Sequence, residues 1–401
     1  MVNLFKGSLA EESSLFLNLV RVVACEMVVF GHFLTKYQPT PFDTLFRVGS
    51  TLGGASVLLF FVLSGFLISY SLIRKTENPQ YGFRSYFVDR FGRIYSGLIP
   101  ALILSGVIAA LIYATNYSYY NELSTMQSAP SALSFGMTMF MLERFPVDFF
   151  NTLLSPIGLS IPLGEVTPFG FNGILWTLVL EWWIYMFFGA LFIGSLALAG
   201  KRRKGLSYKI AMSIATVLLG LLLVGFSGEF SSLIVVWFVG VIMMLAFSSE
   251  EIRNMLSGYA PRVTGNVLFA VCLAGAAFAV YATFEWTNEF YNVYLGLALS
   301  ACVFIGVVLL DLGGLKWASK LMLYKPTVKT ITTGAAYSYT LFLTHYPIII
   351  LLNGLDLPVN RWVMLIPILL LTNAVAFVMA YFTEKRSRQW VASIKKLMHL
   401  P

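Results

Sequence analysis

The sequence predicts an all-α membrane protein: a polytopic bundle of about ten transmembrane helices with both termini cytoplasmic. Three observations predict it. Hydrophobic residues fill 58% of the 401 positions and charged residues only 11%, against about a quarter charged in soluble domains. The apolar residues gather into runs close to the twenty or so needed to cross a bilayer. Lysine and arginine are distributed very unequally between the two sides that those runs define.

The runs lie at 15–36, 51–73, 96–115, 173–197, 207–226, 230–248, 263–284, 289–311, 334–353 and 361–382. Only Ser227-Gly228-Glu229 divides the fifth from the sixth. With the N-terminus inside, Lys36, Arg47, Arg144 and Arg361 fall outside and Arg21 falls within the first run. Every other Lys and Arg falls inside, from Lys6 through the 74–95 and 201–209 loops to the 385–396 tail. That asymmetry sets orientation in a bacterial inner or plasma membrane. It also accounts for the net charge of +8 with no nucleic-acid partner.

The chain reads as one domain, 1–401. Its longest external segment, 116–172, is rich in Ser, Asn, Pro, Gly and aromatics. The segment suits a lid or an acceptor-binding element. Within it "LSFGMTMFMLERF" is too short to span and predicts a re-entrant or interfacial helix. Cys25, Cys272 and Cys302 sit in apolar runs without CxxC spacing and read as small buried hydrophobes. With no cysteine cluster and only three histidines, no metal site is expected.

Chemistry is expected where ionisable residues interrupt apolar runs, because such residues are costly in hydrocarbon. In the first run, Arg21 and His32 are 11 positions apart. That is within about 20° of three full turns, so they share a face about 16 Å apart along the axis. Glu26 lies off that stripe. A buried ion pair for Arg21 and an interhelical hydrogen bond for His32 are the structural alternatives. Ser64-Gly65, in "FFVLSGF", permits either close helix packing or backbone access to a ligand. Arg90 and Arg93 suit phosphate recognition, beside the simpler role of inside-positive charge. Glu181 and Tyr185, four apart in "WTLVLEWWIY", share a face. Ser338 and His345, in "SYTLFLTHYPI", are seven apart and also share one. Histidine there fits a general base or hydrogen-bond partner. His399 lies in the cationic tail and reads as solvated.

Taken in order, these segments resemble the acyltransferase 3 family of integral membrane acyltransferases. Arg21 with His32 is similar to its R-x10-H motif, and Phe60–Phe66 to FFxLSGF. Arg90 with Arg93-Ile94-Tyr95 resembles RxxRIxP, Trp176–Tyr185 resembles WSLxxExxFY, and Ser338–Pro347 resembles SYxxYLxHxP. Ser96 stands where the loop motif has proline, and Thr177 replaces the serine of WSL. Glu384-Lys385-Arg386 replaces a glutamate-x-proline after the last span. No accessory hydrolase-like external domain is expected.

The resemblance implies transfer of an acyl group, chiefly acetyl, from cytoplasmic acyl-CoA to a hydroxyl of a cell-envelope or exported carbohydrate or glycolipid. Acyl-CoA would be a donor substrate, not a resident cofactor. It implies His32, Glu181 and His345 as catalytic residues, with His32 the general base. Arg21, Ser64, Arg90 and Arg93 would meet the donor. Trp176, Tyr185, Ser338 and Tyr339 would meet the acceptor. The competing reading is a transporter for a sugar or anionic substrate, since buried Arg, Glu and His also mark transport paths.

Overall fold

The computed structural model describes residues 9–36, 44–127, 129–200, 205–259, 262–287, 289 and 291–401. The inside-positive residues Lys6, Lys201, Arg202, Arg203 and Lys204 lie outside the described residues. The helices, in chain order, begin with α1 (Glu11–Lys36), α2 (Thr44–Lys75), α3 (Phe83–Thr115), α4 (Tyr117–Gln127) and α5 (Ala132–Met139). Next come α6 (Val147–Leu154), α7 (Trp176–Leu198), α8 (Leu206–Ser248), α9 (Glu250–Tyr259) and α10 (Arg262–Trp286). The last are α11 (Val293–Asp311), α12 (Lys316–Met322), α13 (Lys325–Gly354), α14 (Arg361–Phe382) and α15 (Glu384–Leu397).

Among the described residues there are no strands, and ten helical segments are long and apolar enough to cross a membrane. The protein is an all-α, multi-pass membrane protein. Helices satisfy every internal backbone donor and acceptor without water, which is what a bilayer requires.

Three elements differ from expectation. The break at Ser227-Gly228-Glu229 is absent: α8 is helical throughout, with apolar segments Leu206–Gly228 and Phe230–Ser248 to either side. A lone glycine costs a helix only about 1 kcal/mol, and Ser-Gly-Glu carries no proline to interrupt hydrogen bonding. The third apolar run extends back to Phe83, so Arg90 and Arg93 stand on the helix itself. The 116–172 segment folds into three short helices and two 3-10 turns, Ser155–Ile157 and Phe169–Phe171. The short apolar piece inside it becomes α5, started by a reciprocal Ser131/Ser134 capping box.

The chain falls into two compact units: residues 1–74 with 232–342, and residues 75–231 with 343–401. In the first unit, backbone approaches backbone where side chains are smallest. A Cβ on Gly65 of α2 would lie 2.0 Å from the Trp237 carbonyl oxygen of α8, and one on Gly240 would lie 2.3 Å from the Val62 carbonyl oxygen. Small residues allow this contact where hydrophobic burial cannot drive association. The start of α1 is latched to its neighbours: Ser13 Oγ donates to the Val307 carbonyl at 3.1 Å and the Ala10 N–H to Asp311 Oδ1 at 3.2 Å. Leu15, Leu309, Leu310, Leu315, Met322 and Ile331 close a core around it.

In the second unit, α15 packs along α3, with Val391 against Gly92. Buried Asp89 pins the contact, accepting from Lys395 Nζ at 2.9 Å, Lys75 Nζ at 2.8 Å and the Tyr81 hydroxyl at 2.7 Å. The 116–172 segment is anchored on three neighbours. Asn116 Nδ2 donates to the Gly354 carbonyl at 2.8 Å, Tyr95 OH to the Met139 carbonyl at 2.8 Å, and Trp183 Nε1 to the Met141 carbonyl at 2.8 Å. Met141 and Arg144 both adopt left-handed backbone, φ 57° and 50°. Between them Glu143 is 0% exposed. Its Oε2 accepts from Thr138 Oγ1, which itself accepts from the Phe169 N–H at 3.1 Å. Glu143 Oε1 has no hydrogen-bond partner among the described residues. Burial pushes the Glu143 carboxyl up to about 7 from 4.5, against the hydrogen bond from Thr138 and the charge of Arg144.

Two predictions follow from this packing. Gly65→Ala forces a backbone shift that Gly53→Ala does not, since a Cβ on Gly53 meets nothing within 4 Å. Overpacking costs about 1–3 kcal/mol, so Gly65→Ala lowers the thermal midpoint in detergent while Gly53→Ala leaves it unchanged. The second prediction concerns pH. A carboxyl whose folded pKa is raised favours the folded state at low pH, and that advantage is lost between the unfolded value of 4.5 and about 7. Wild-type stability therefore declines across this window by roughly 3 kcal/mol more than that of Glu143→Gln. Thermal melts of both proteins from pH 4 to 8 measure the difference.

Candidate functional site

Each unit carries one membrane histidine. In the first unit, α1 presents Arg21, Glu26 and His32 on an unbroken helix, so the stripe shared by Arg21 and His32 is kept. Neither residue is fully buried. The turn after His32 is closed by Thr35 Oγ1, which donates to the His32 carbonyl at 3.1 Å. Glu26 acquires a neighbour: Tyr337 of α13 lies within electrostatic reach of Glu26 and Cys25. Cys25 Sγ donates to the Ser338 carbonyl at 3.1 Å. This thiol is thus a buried packing group on the α1–α13 seam, as its apolar setting implies.

That seam also places two expected ligand contacts. Ser338 is 2% exposed, and its hydroxyl donates back to the Ala335 carbonyl at 3.1 Å. Tyr339, beside it, is half-buried. On α2, Ser64 Oγ accepts from Trp237 Nε1 at 3.1 Å, beside the close approach of Gly65 to the same tryptophan. The Ser64-Gly65 pair therefore joins α2 to α8. Phe60, one turn before, meets Phe342 edge-on with centroids 5.2 Å apart.

In the second unit a connected path runs from α7 to α3. Tyr185 OH donates to Glu181 Oε1 across one turn of α7. Tyr86 OH of α3 donates to the Tyr185 carbonyl at 3.0 Å, and Gly189 lets the Tyr86 ring approach. Arg90 lies over the other side of this network, its guanidinium 5.6 Å from the Tyr86 ring centroid. Glu181, Tyr185 and Arg90 are thereby brought together through Tyr86.

Trp176 is not part of that group. Nine residues separate it from Tyr185, which puts the two on opposite faces of α7. Trp176 stacks on Phe230 at 4.3 Å, with the Arg144 guanidinium 5.8 Å from its ring.

The two arginines of α3 differ in their partners. Arg93 Nη1 pairs with Glu384 Oε2 at 2.8 Å, and the Glu384 side chain is only 4% exposed. Glu384-Lys385-Arg386, the departure from the expected tail pattern, thus supplies a counter-charge. Arg90 Nε is buried with no hydrogen-bond partner among the described residues. Ser96, in the place of a motif proline, donates to the Arg93 carbonyl at 3.2 Å.

His345 is 0% exposed. The 3-10 turn ahead of α7 packs against its stretch of α13. Asn172, also 0% exposed, donates from Nδ2 to the Leu343 carbonyl at 3.0 Å and to Ser105 Oγ at 3.1 Å. Asn172 and Glu143, like Asp89, are buried polar residues that reading the sequence missed. Glu143 sits in "MLERF", where a lone carboxylate looks solvated. Asn172 precedes a glycine, where it looks like ordinary turn chemistry. Among the described residues, no group of three or more His, Cys, Asp or Glu is arranged to hold a metal ion.

A family model described as "Acyltransferase domain" matches residues 14–381. A protein of Shigella phage Sf6 named "O-acetyl transferase" is 31% identical over 175 residues, which cover 42% of this chain and 43% of that protein. The match thus spans less than half of the relative's length. No solved structure matches. The family model runs from the first span to the end of the tenth and encloses every motif from Arg21 to His345, so this chain belongs to the acyltransferase 3 family of membrane acyltransferases.

Proposed function

We propose that this protein transfers an acyl group, most simply acetyl, from acyl-CoA to a hydroxyl of a cell-envelope or exported carbohydrate, with His32 as general base. One observation carries the reading: Arg21 and His32 share a stripe on α1, inside the region matched by an acyltransferase family model. The O-acetyl transferase relative supports oxygen as the accepting atom.

In this scheme a neutral His32 nitrogen takes the proton of the acceptor hydroxyl as its oxygen attacks the thioester carbonyl carbon. The tetrahedral oxyanion needs hydrogen-bond or cationic donors. It collapses with cleavage of the C–S bond, and the proton held by His32 leaves with the CoA thiol. An ester on the carbohydrate and free CoA-SH are the products, so atoms and charge balance. Glu181, already bonded by Tyr185, and His345 are the further catalytic candidates of the second unit.

The donor phosphates are assigned to the Arg90 and Arg93 turn of α3, with the termini on the same cytoplasmic side. Arginine forks recognise phosphate oxygens. Glu384 already neutralises Arg93, so Arg90 is the arginine of this turn with capacity to spare.

His32→Ala is expected to lower transfer at least about 100-fold, the lower end for a general base, while the variant inserts and melts as wild type does. Near-normal turnover by a folded His32→Ala protein removes this role. Arg90→Ala is expected to raise the KM for acyl-CoA about tenfold, with a smaller rise for Arg93→Ala. Steady-state kinetics with varied acyl-CoA decides the order, and a larger effect at Arg93 contradicts it.

A further inference from the structure

The break between α3 and α4 brings three tyrosines together. Asn116 leaves helical geometry there, φ −146° and ψ 78°. Its Oδ1 caps α4 by accepting from the Tyr119 N–H at 3.0 Å. Tyr113, from the last turn of α3, thereby meets Tyr117 and Tyr120 from the first turn of α4. The Tyr117 and Tyr120 rings lie 11° from parallel, with centroids 6.4 Å apart. Tyr113 stands edge-on to both, at 5.2 and 5.1 Å. The result is an aromatic corner that stays open on its outer side: Tyr113 is 55% exposed and Tyr117 56%.

The corner is firmly mounted. Tyr120 packs edge-on against Phe171 at 5.3 Å, and Phe171 is 1% exposed. The break itself is bonded to the end of α13, the helix that carries His345. Asn116 Nδ2 donates to the Gly354 carbonyl, and Asn353 Nδ2 donates to the Tyr119 hydroxyl at 3.1 Å. Rings held in this way lose little freedom when a ligand settles on them.

Anchoring in lipid accounts poorly for this corner. The exposed aliphatic stripe of α3 is Ile99, Ile103, Val107 and Leu111. Tyr113 is six residues beyond Val107, about 120° around the helix from it. Asn121 and Thr125 lie one and two turns beyond Tyr117 on the same side of α4, and both are exposed and polar. No lysine or arginine occurs from 94 to 143, so this stretch offers a lipid phosphate no cation. Tyr113 also lies twenty residues beyond Arg93 on α3. That is about 30 Å along the axis, one hydrocarbon thickness from the arginine turn assigned to the donor.

An aromatic face is partly negative and attracts C–H groups, while phenol, amide and hydroxyl groups bind O–H. A sugar ring presents both, C–H on its faces and O–H around its rim. We propose that Tyr113, Tyr117 and Tyr120, with Asn121 and Thr125 beside them, hold an uncharged sugar ring of the carbohydrate acceptor. The site rests on the acyl-transfer reading given above and names its acceptor side. It docks the saccharide and touches no reacting atom.

The test uses the full-length protein in liposomes, with acetyl-CoA and neutral oligosaccharides cut from envelope polysaccharide. Tyr117→Ala is the principal variant, because its ring is more than half exposed and its loss leaves the buried core intact. The acceptor KM is expected to rise about fivefold, the loss of one aromatic contact. The acetyl-CoA KM is expected to stay within about twofold and the melting temperature to be unchanged. Tyr117→Phe keeps the ring and is expected to hold the acceptor KM within about twofold. Trp286→Ala removes an exposed aromatic at the end of α10 and is expected to change neither KM. If wild type releases no CoA thiol with any oligosaccharide, the acyl-transfer reading falls and this site with it. If wild type transfers and Tyr117→Ala keeps its acceptor KM, the site alone is overturned. A lower melting temperature in that case marks the tyrosine as a membrane anchor.

Discussion

A polar group inside a bilayer has no water to fall back on, so each one in this protein must be matched by the chain itself or by a ligand. Most of them are matched locally and unambiguously. Glu181 is met by Tyr185, Ser64 by Trp237 and Ser338 by the Ala335 carbonyl. Glu384 meets Arg93, and Asp89 gathers Lys75, Lys395 and Tyr81. Those between elements, from Trp237 to Ser64, Arg93 to Glu384 and Lys395 to Asp89, hold helices where hydrophobic burial cannot, since lipid is as apolar as the helix faces. They also separate residues that build the bundle from residues with capacity left over. Arg90 Nε and Asn172 Oδ1 are of the second kind.

The apolar runs made most of the fold legible. The tenth, at 361–382, coincides with α14, and seven of the others lie within the observed helices, while the runs at 173–197 and 289–311 start ahead of α7 (Trp176–Leu198) and α11 (Val293–Asp311). Hydropathy senses only the hydrocarbon-crossing part of a helix. It therefore truncated α3, whose first three turns carry Arg84, Asp89, Arg90 and Arg93, and it gave no sign of α15 with its five basic residues. Both are amphipathic stretches whose buried side is an ion-pair seam and not an apolar stripe. The interruption assigned to Ser227-Gly228-Glu229 was a polar tripeptide without the backbone chemistry of a turn.

The site was legible to a smaller extent, for a physical reason. Helical spacing correctly pairs residues on one helix: Arg21 with His32, Glu181 with Tyr185. It says nothing about what crosses to a neighbouring helix, so it could not find Tyr86 under Tyr185, Tyr337 near Glu26 or Glu384 on Arg93. Spacing also separates Trp176 from Tyr185 by half a turn, although one motif contains both. Turn residues carry even less signal. Asn172 and Glu143 become notable only once their burial is known.

Membership of the acyltransferase 3 family and the ten apolar segments support a membrane O-acyltransferase, for which a thioester donor and a sugar hydroxyl acceptor are the proposal. The most direct measurement is to reconstitute the purified protein in liposomes with radiolabelled acetyl-CoA and envelope polysaccharide. The account predicts label in the polysaccharide, released by mild base as acetate, with one CoA thiol formed for each ester. Label that stays in acetyl-CoA while the folded protein moves unmodified saccharide across the membrane would contradict it.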